Sequence, residues 1–112
     1  MYDKNNIFAK IIRGEIPCNK VFEDDKVLFF YDINPIAKIH VLGISKTPSI
    51  NFSDFILKNN TDIVSDFFEK VEIVINKLGI KEDGFKIITN SGKNGGQEVP
   101  HFHIHILGGE KI

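Results

Sequence analysis

The chain contains one cysteine, Cys18, carries a formal net charge of only −1, and has no apolar run long enough to cross a bilayer. A lone cysteine excludes an intramolecular disulfide and suits a reducing compartment, with Cys18 a structural residue. Near-neutral charge offers no long-range attraction for nucleic acid, so any selectivity for phosphate has to be local. The start, Met1-Tyr2-Asp3-Lys4-Asn5-Asn6, is polar and is followed by short apolar groups. Neither a signal peptide nor a membrane partner is therefore expected, and the expected location is cytoplasmic. Repeats, low-complexity tracts and linkers are also missing. With 112 residues, 42% hydrophobic and 26% charged, the composition is that of a globule and the length that of one domain over residues 1–112.

Histidine is concentrated. Three of the four in the chain stand at His101, His103 and His105, separated by Phe102 and Ile104. On a strand, side chains alternate, so the three imidazoles are expected on one face while Phe102, Ile104 and Ile106 take the core face. Imidazole, with an ordinary pKa of about 6.5, serves near neutrality as nucleophile, acid, base or metal ligand. Strand neighbours two apart lie about 6.6 to 7 Å from each other, close enough to share a zinc ion, whereas the outer pair, about 13 Å apart, is not. A zinc hydrolase would thus need His103 and His105 with His40, leaving His101 idle. Directly upstream lies the glycine-rich stretch Asn90-Ser91-Gly92-Lys93-Asn94-Gly95-Gly96-Gln97. It is not a P-loop, because Gly92-Lys93 is followed by Asn94 and no helical pattern opens after it. The bare N–H groups of Gly95, Gly96 and Gln97 are expected to approach an anion.

The remaining pattern predicts alternating short elements. Asn5 or Asn6 caps a helix with Ile7, Phe8, Ile11 and Ile12 as its apolar stripe, ended by Gly14 and Pro17. Strands are expected at Lys20 to Glu23 and Lys26 to Asp32, joined by an Asp24-Asp25 turn, and at Ile39 to Ile44 after the Asn34-Pro35 turn. Residues Ser49 to Asn59 read as a loop with a short helical turn. A long helix begins at Asn60 or Thr61, and its Ile63, Val64, Phe67, Phe68, Val71, Ile75 and Leu78 keep the helical period until Gly79. Phe85 to Thr89 and the histidine strand complete five strands. The fold class expected is α+β, a five-stranded antiparallel sheet with an N-terminal helix and one long helix.

His101-Phe102-His103-Ile104-His105-Ile106, led in by Gly95-Gly96-Gln97-Glu98-Val99-Pro100, resembles the His-x-His-x-His-x-x signature of the histidine triad superfamily. Two further segments share the resemblance: Ile7 to Pro17, and Asp32-Ile33-Asn34-Pro35 followed by Ala37 and His40. The most similar branch is the Hint type of nucleotide-binding proteins. The resemblance implies a HIT-like fold, a homodimer, and hydrolysis of purine nucleoside 5′-phosphoramidates through a covalent nucleotidyl-histidine, without cofactor or metal. Alternatives are a dinucleoside polyphosphate hydrolase of the same superfamily and a nucleotide-binding interaction protein with little turnover. Position by position, it implies His103 as nucleophile, His105 on the phosphate oxygens and favouring departure of the amine, His101 supporting the nucleophile, and His40 completing the set. It also implies Asp32 on the ribose hydroxyls, and Ile7, Phe8, Ile11, Phe30, Ile33 and Leu42 around the base. Asn90, Gly96, Gln97 and Val99 fall on the phosphate side.

There are departures from the pattern. Asn6 and Ala9 stand where some bacterial relatives carry a zinc-binding cysteine pair, so no structural zinc is expected. Glu98 replaces a hydroxyl residue on the leaving-group side, and Lys38 replaces an apolar one. The chain ends three residues after Gly109, and related enzymes use a longer tail near the partner's site, so a broader substrate range or a lower activity is expected.

Overall fold

The computed structural model describes residues 1–112. Helix α1, Ile7–Ile12, starts where the Asn6 side chain accepts the N–H of Ala9 at 2.9 Å, supplying a partner for one of the donors a helix start leaves open. Strands β1 (Lys20–Glu23) and β2 (Val27–Tyr31) follow as an antiparallel hairpin. Asp24 makes its turn by accepting the N–H groups of Lys26 and Val27 at 2.8 and 2.9 Å. Strand β3 is Ile39–Ser45, and α2 is Phe52–Lys58, two turns capped by Asn51 where the sequence suggested only one. Helix α3, Thr61–Leu78, is capped by Asn60, which accepts the N–H of Ile63 at 3.0 Å, and closed by Gly79 at φ 71. Strands β4 (Phe85–Ile88) and β5 (His103–Gly108) complete a sheet ordered β1-β2-β3-β5-β4, antiparallel throughout.

Alternation sorts the sheet into two faces. Phe29, Val41, Ile104 and Ile106 join Phe55, Phe67, Val71, Val74 and Ile75 of α2 and α3 in the larger apolar cluster. Phe102 lies flat on Phe55, ring centroids 4.4 Å apart. Each such buried side chain contributes about 1.5 to 3 kcal/mol. Gly43 pairs with Phe29 across β2 and β3, and a Cβ there would overlap the Phe29 ring, so the phenyl occupies the space that a side chain would need. Phe8 and Ile11 of α1 pack with Leu28, Phe30, Leu42 and Ile44 in a second, smaller cluster on the other face. No helix is long and apolar enough to cross a membrane.

The triad differs from a simple strand in one respect. Only His103 and His105 belong to β5; His101 and Phe102 precede it. Their backbone N–H groups go to Val99 and Ser49 carbonyls, at 2.8 Å each, instead of a strand partner. That break in pairing gives His101 surroundings of its own.

Candidate active site

Strand alternation places His103 and His105 on the α1 side of β5. Their ring centroids are 5.3 Å apart, and Phe8 packs T-shaped on His103 with centroids 4.8 Å apart. In the β3–β5 register Leu42 opposes His105 and His40 opposes Leu107, which makes His40 and His105 diagonal neighbours. Their facing nitrogens, His40 Nε2 and His105 Nδ1, are 2.9 Å apart.

Hydrogen-bond partners assign every ring its tautomer. The Ile36 backbone N–H donates to His40 Nδ1 at 3.2 Å. Nδ1 of His40 is therefore the lone-pair nitrogen, and Nε2–H donates to His105 Nδ1. His105 in turn carries its proton on Nε2. For His103, Nδ1 lies 2.6 Å from the His101 carbonyl, which only accepts, so the proton is on Nδ1 and the lone pair on Nε2. His101 donates from Nε2 to the Ser45 carbonyl at 2.6 Å and receives the Tyr2 hydroxyl on Nδ1 at 2.6 Å.

Burial favours the uncharged form of all four rings. It pushes His101 down to about 4. It also pushes His105 down to about 4, helped by His103 and His40 and opposed by the Asp32 charge. His103 is lowered by burial against the opposing pull of the His101 carbonyl and Asp32, and His40 by burial against Asp32. An unprotonated nucleophile therefore costs nothing extra near neutrality.

These groups open into a cavity of about 460 Å³. Asp32, Asn34 and Ile36 line it from the β2–β3 connection, and Asn90, Gly96, Glu98 and Val99 from the loop between β4 and β5. His40, His103 and His105 share it with Phe8, Leu42, Ile88 and Leu107. Asp32 has two tasks: Oδ1 accepts the Asn34 N–H at 2.8 Å and holds the turn, while Oδ2 stands 3.4 Å from His40 Nε2.

Other expected residues lie elsewhere. Ile11 and Phe30 are buried in the smaller cluster behind the lining, whereas Ile7 (45% exposed) and Ile33 (89% exposed) face solvent outside it. The His101 ring is enclosed by Tyr2, Phe8 and the Ser45 carbonyl and does not line the cavity, so its support of His103 runs through its main-chain oxygen. Gln97 is a brace: Nε2 donates to the Ile50 and Val99 carbonyls at 2.7 and 2.9 Å, and Oε1 accepts the Gly92 N–H at 2.9 Å. Two of the three amides expected to face an anion are used within the loop, Gly96 N–H donating to Lys93 and Gln97 N–H to Gly92, at 3.1 Å each. A loop of this length satisfies its own backbone first. Lys38 does not line the cavity; its backbone N–H donates to Glu110 at 2.7 Å.

The sequence reading missed several groups. Leu107 continues the period-two series and Ile88 pairs with His105, so both follow from strand register. Tyr2 and the Ile36 amide left no local signal. As for metal, one ligand atom each of Asp32, His40 and His105 lies within 4.8 Å of the others. This differs from the zinc set inferred from spacing, which had His103 in the place of Asp32. A cation on His40 Nε2 would force the ring proton onto Nδ1, against the Ile36 N–H, so the tautomer opposes it.

Residues 13–112 match the HIT domain family. The chain is 52% identical over 106 residues to a HIT-like protein of Helicobacter pylori, covering 95% of this chain and 98% of that one. It is 37% identical over 111 residues to the purine nucleoside phosphoramidase of Escherichia coli, covering 97% and 91%. The solved structure of a HIT family hydrolase from Clostridium thermocellum shares the fold with a TM-score of 0.86 and 38% identity, covering 98% and 95%. With residues 13–112 matched to the domain and the fold shared with a solved relative over nearly the whole chain, the chain belongs to the HIT family.

Proposed function

We propose that the chain is a purine nucleoside 5′-phosphoramidate hydrolase that works through a nucleotidyl group carried on His103. One observation supports this above the rest: the His103 Nδ1–H bond to the His101 carbonyl leaves Nε2 as an unprotonated nitrogen in a cavity that also holds Asp32 and His105. Nε2 attacks phosphorus, the P–N bond breaks with its electron pair on nitrogen, and the amine departs with an added proton. His105 carries its ring proton on the nitrogen that His40 leaves free. Phosphate charge arriving beside it favours uptake of a solvent proton, and the resulting imidazolium gives one proton to the amine and returns to the neutral ring. Water then cleaves the nucleotidyl-histidine and releases the mononucleotide. The similarity to the Escherichia coli purine nucleoside phosphoramidase supports this substrate class and the purine base.

Charge favours a phosphoramidate over a dinucleoside polyphosphate. No lysine or arginine lines the cavity and Glu98 does, so each added phosphate would bring more negative charge against an acidic wall. Turnover is what would separate this reading from a nucleotide-binding protein without it. The quenched enzyme, mixed with adenosine 5′-phosphoramidate, is expected to show a nucleotidyl adduct on the peptide holding His101 to His105. An adduct elsewhere, or none during turnover, refutes the reading.

A second copy of the chain is the partner we infer, in a cytoplasmic homodimer. Strand β4 is an edge strand, and its Phe85 and Ile87 are 40% and 41% exposed. An open apolar edge is a surface that another identical edge can satisfy. Light scattering at micromolar concentration is expected to give twice the chain mass; a monomer refutes it.

A further inference from the structure

The N-terminal segment is tied down by its own hydrogen bonds rather than by strand pairing. Asn5 N–H donates to Asp3 Oδ1 and Asn6 Nδ2 to the Asp3 carbonyl, both at 2.8 Å, while the Asn6 oxygen caps α1. Arg13 reaches back from the end of α1 to the Lys4 carbonyl at 2.8 Å. This tethered turn carries Tyr2 against His101, ring centroids 5.6 Å apart at 65°. His101 is 1% exposed. Its Nε2 has to donate to the Ser45 carbonyl, so Nδ1 holds the lone pair and the Tyr2 hydroxyl, 2.6 Å away, is the donor. With both ring nitrogens engaged, the imidazole cannot turn without breaking two hydrogen bonds, a buried one to Ser45 and a part-buried one to Tyr2. The main-chain oxygen of this same residue accepts His103 Nδ1–H at 2.6 Å.

We propose that Tyr2 is a positioning residue for the nucleophile: by holding the His101 ring, it holds the His101 carbonyl that keeps the proton on Nδ1 of His103 and the lone pair on Nε2. The proposal rests on the reading of His103 as nucleophile. Tyr2 does not line the cavity, so it touches no substrate and acts only through His101. The hydroxyl is the working part; the ring only packs. Released, the 101–103 segment samples conformations in which the Nδ1–H bond is lengthened and the other tautomer is populated, and only the fraction with a free Nε2 attacks.

The test is Tyr2→Phe, which removes the hydroxyl and keeps the ring. Assayed with a nucleoside phosphoramidate well below the melting temperature, kcat is expected to fall about twofold to tenfold, the worth of one net hydrogen bond, with KM unchanged. Nitrogen-15 spectra of the histidine rings are expected to show one Nδ1–H tautomer for His103 in the parent and a mixture or broadening in Tyr2→Phe. In a His101→Ala background, Tyr2→Phe is expected to cost nothing further, because its route to His103 is already cut. An unchanged kcat, an effect confined to KM, or a full additional loss in the His101→Ala background overturns the proposal. If His101→Ala does not fold, the tautomer spectra decide alone, and an unaltered His103 signal in Tyr2→Phe overturns it. Failure of the parent to turn over any phosphoramidate sinks the proposed reaction instead, and leaves the tie from Tyr2 to His103 to stand or fall on the same spectra.

Discussion

Substituting Asp32 by asparagine separates the two tasks of its carboxylate. The amide oxygen of Asn still accepts the Asn34 N–H that Oδ1 takes at 2.8 Å, so the turn survives. The negative charge beside His40, His103 and His105, which pulls their pKa values upward, is lost. If this carboxylate accepts the ribose hydroxyls, the variant also loses charge-assisted hydrogen bonds worth about 1.5 to 3 kcal/mol together, which is about 10- to 150-fold in kcat/KM. The loss is expected mainly in KM, because the sugar is held alike before and during reaction at phosphorus. The assay compares a ribonucleoside phosphoramidate with its 2′,3′-dideoxy analogue. The parent is expected to discriminate against the analogue by that same factor, and Asp32→Asn to accept both about equally. Asp32→Ala is expected to lose the turn as well and to melt at a lower temperature. Undiminished discrimination in Asp32→Asn would show that another group holds the sugar and would refute the reasoning.

His103→Asn is expected to abolish turnover yet still bind adenosine monophosphate by calorimetry, since Phe8, Leu42 and Asp32 remain; robust turnover would move the nucleophile elsewhere. Stability is expected to fall on acidification, because the His101 and His105 pKa values near 4 lie below the unfolded value of about 6.5. The unfolded chain therefore takes up protons that the folded one refuses, between about pH 6.5 and 4, and a melting temperature that rises from pH 7 to 5 would contradict this. Activity is expected to survive a strong chelator unchanged, because the His40 tautomer set by Ile36 opposes a metal on Nε2; loss that returns with zinc would count against the assignment.

Signals carried by neighbouring residues were legible. Asn6 and Asn60, each one of two adjacent candidate caps, Gly79 as a stop, and the period-two series through His103 and His105 each depend on residues within a turn or a strand of one another. The antiparallel sense of the sheet was legible from its short, hairpin-like strands, but the strand order was not, because β5 lies between β3 and β4 across the connection that holds α2 and α3. The segment containing α2 read too weakly because its one buried residue, Phe55, gains its meaning from packing on Phe102, although its cap, Asn51, is as local as the others.

What the chain determines by itself is therefore most of the elements, the shared face of His103 and His105, and the type of chemistry imidazole brings. The tertiary structure alone decided which nitrogen of each ring is free, since that choice belongs to the Ile36 amide and to the carbonyls of Ser45 and His101. It likewise took His101 out of β5, turned Gln97 from ligand contact to brace, and closed the Gly96 and Gln97 amides into their own loop. The reason is physical: periodicity fixes the direction of a side chain, whereas protonation and hydrogen-bond supply depend on which main-chain groups the backbone turns toward each ring, near in sequence like Ile36 and His101 or far like Ser45, and the fold sets that.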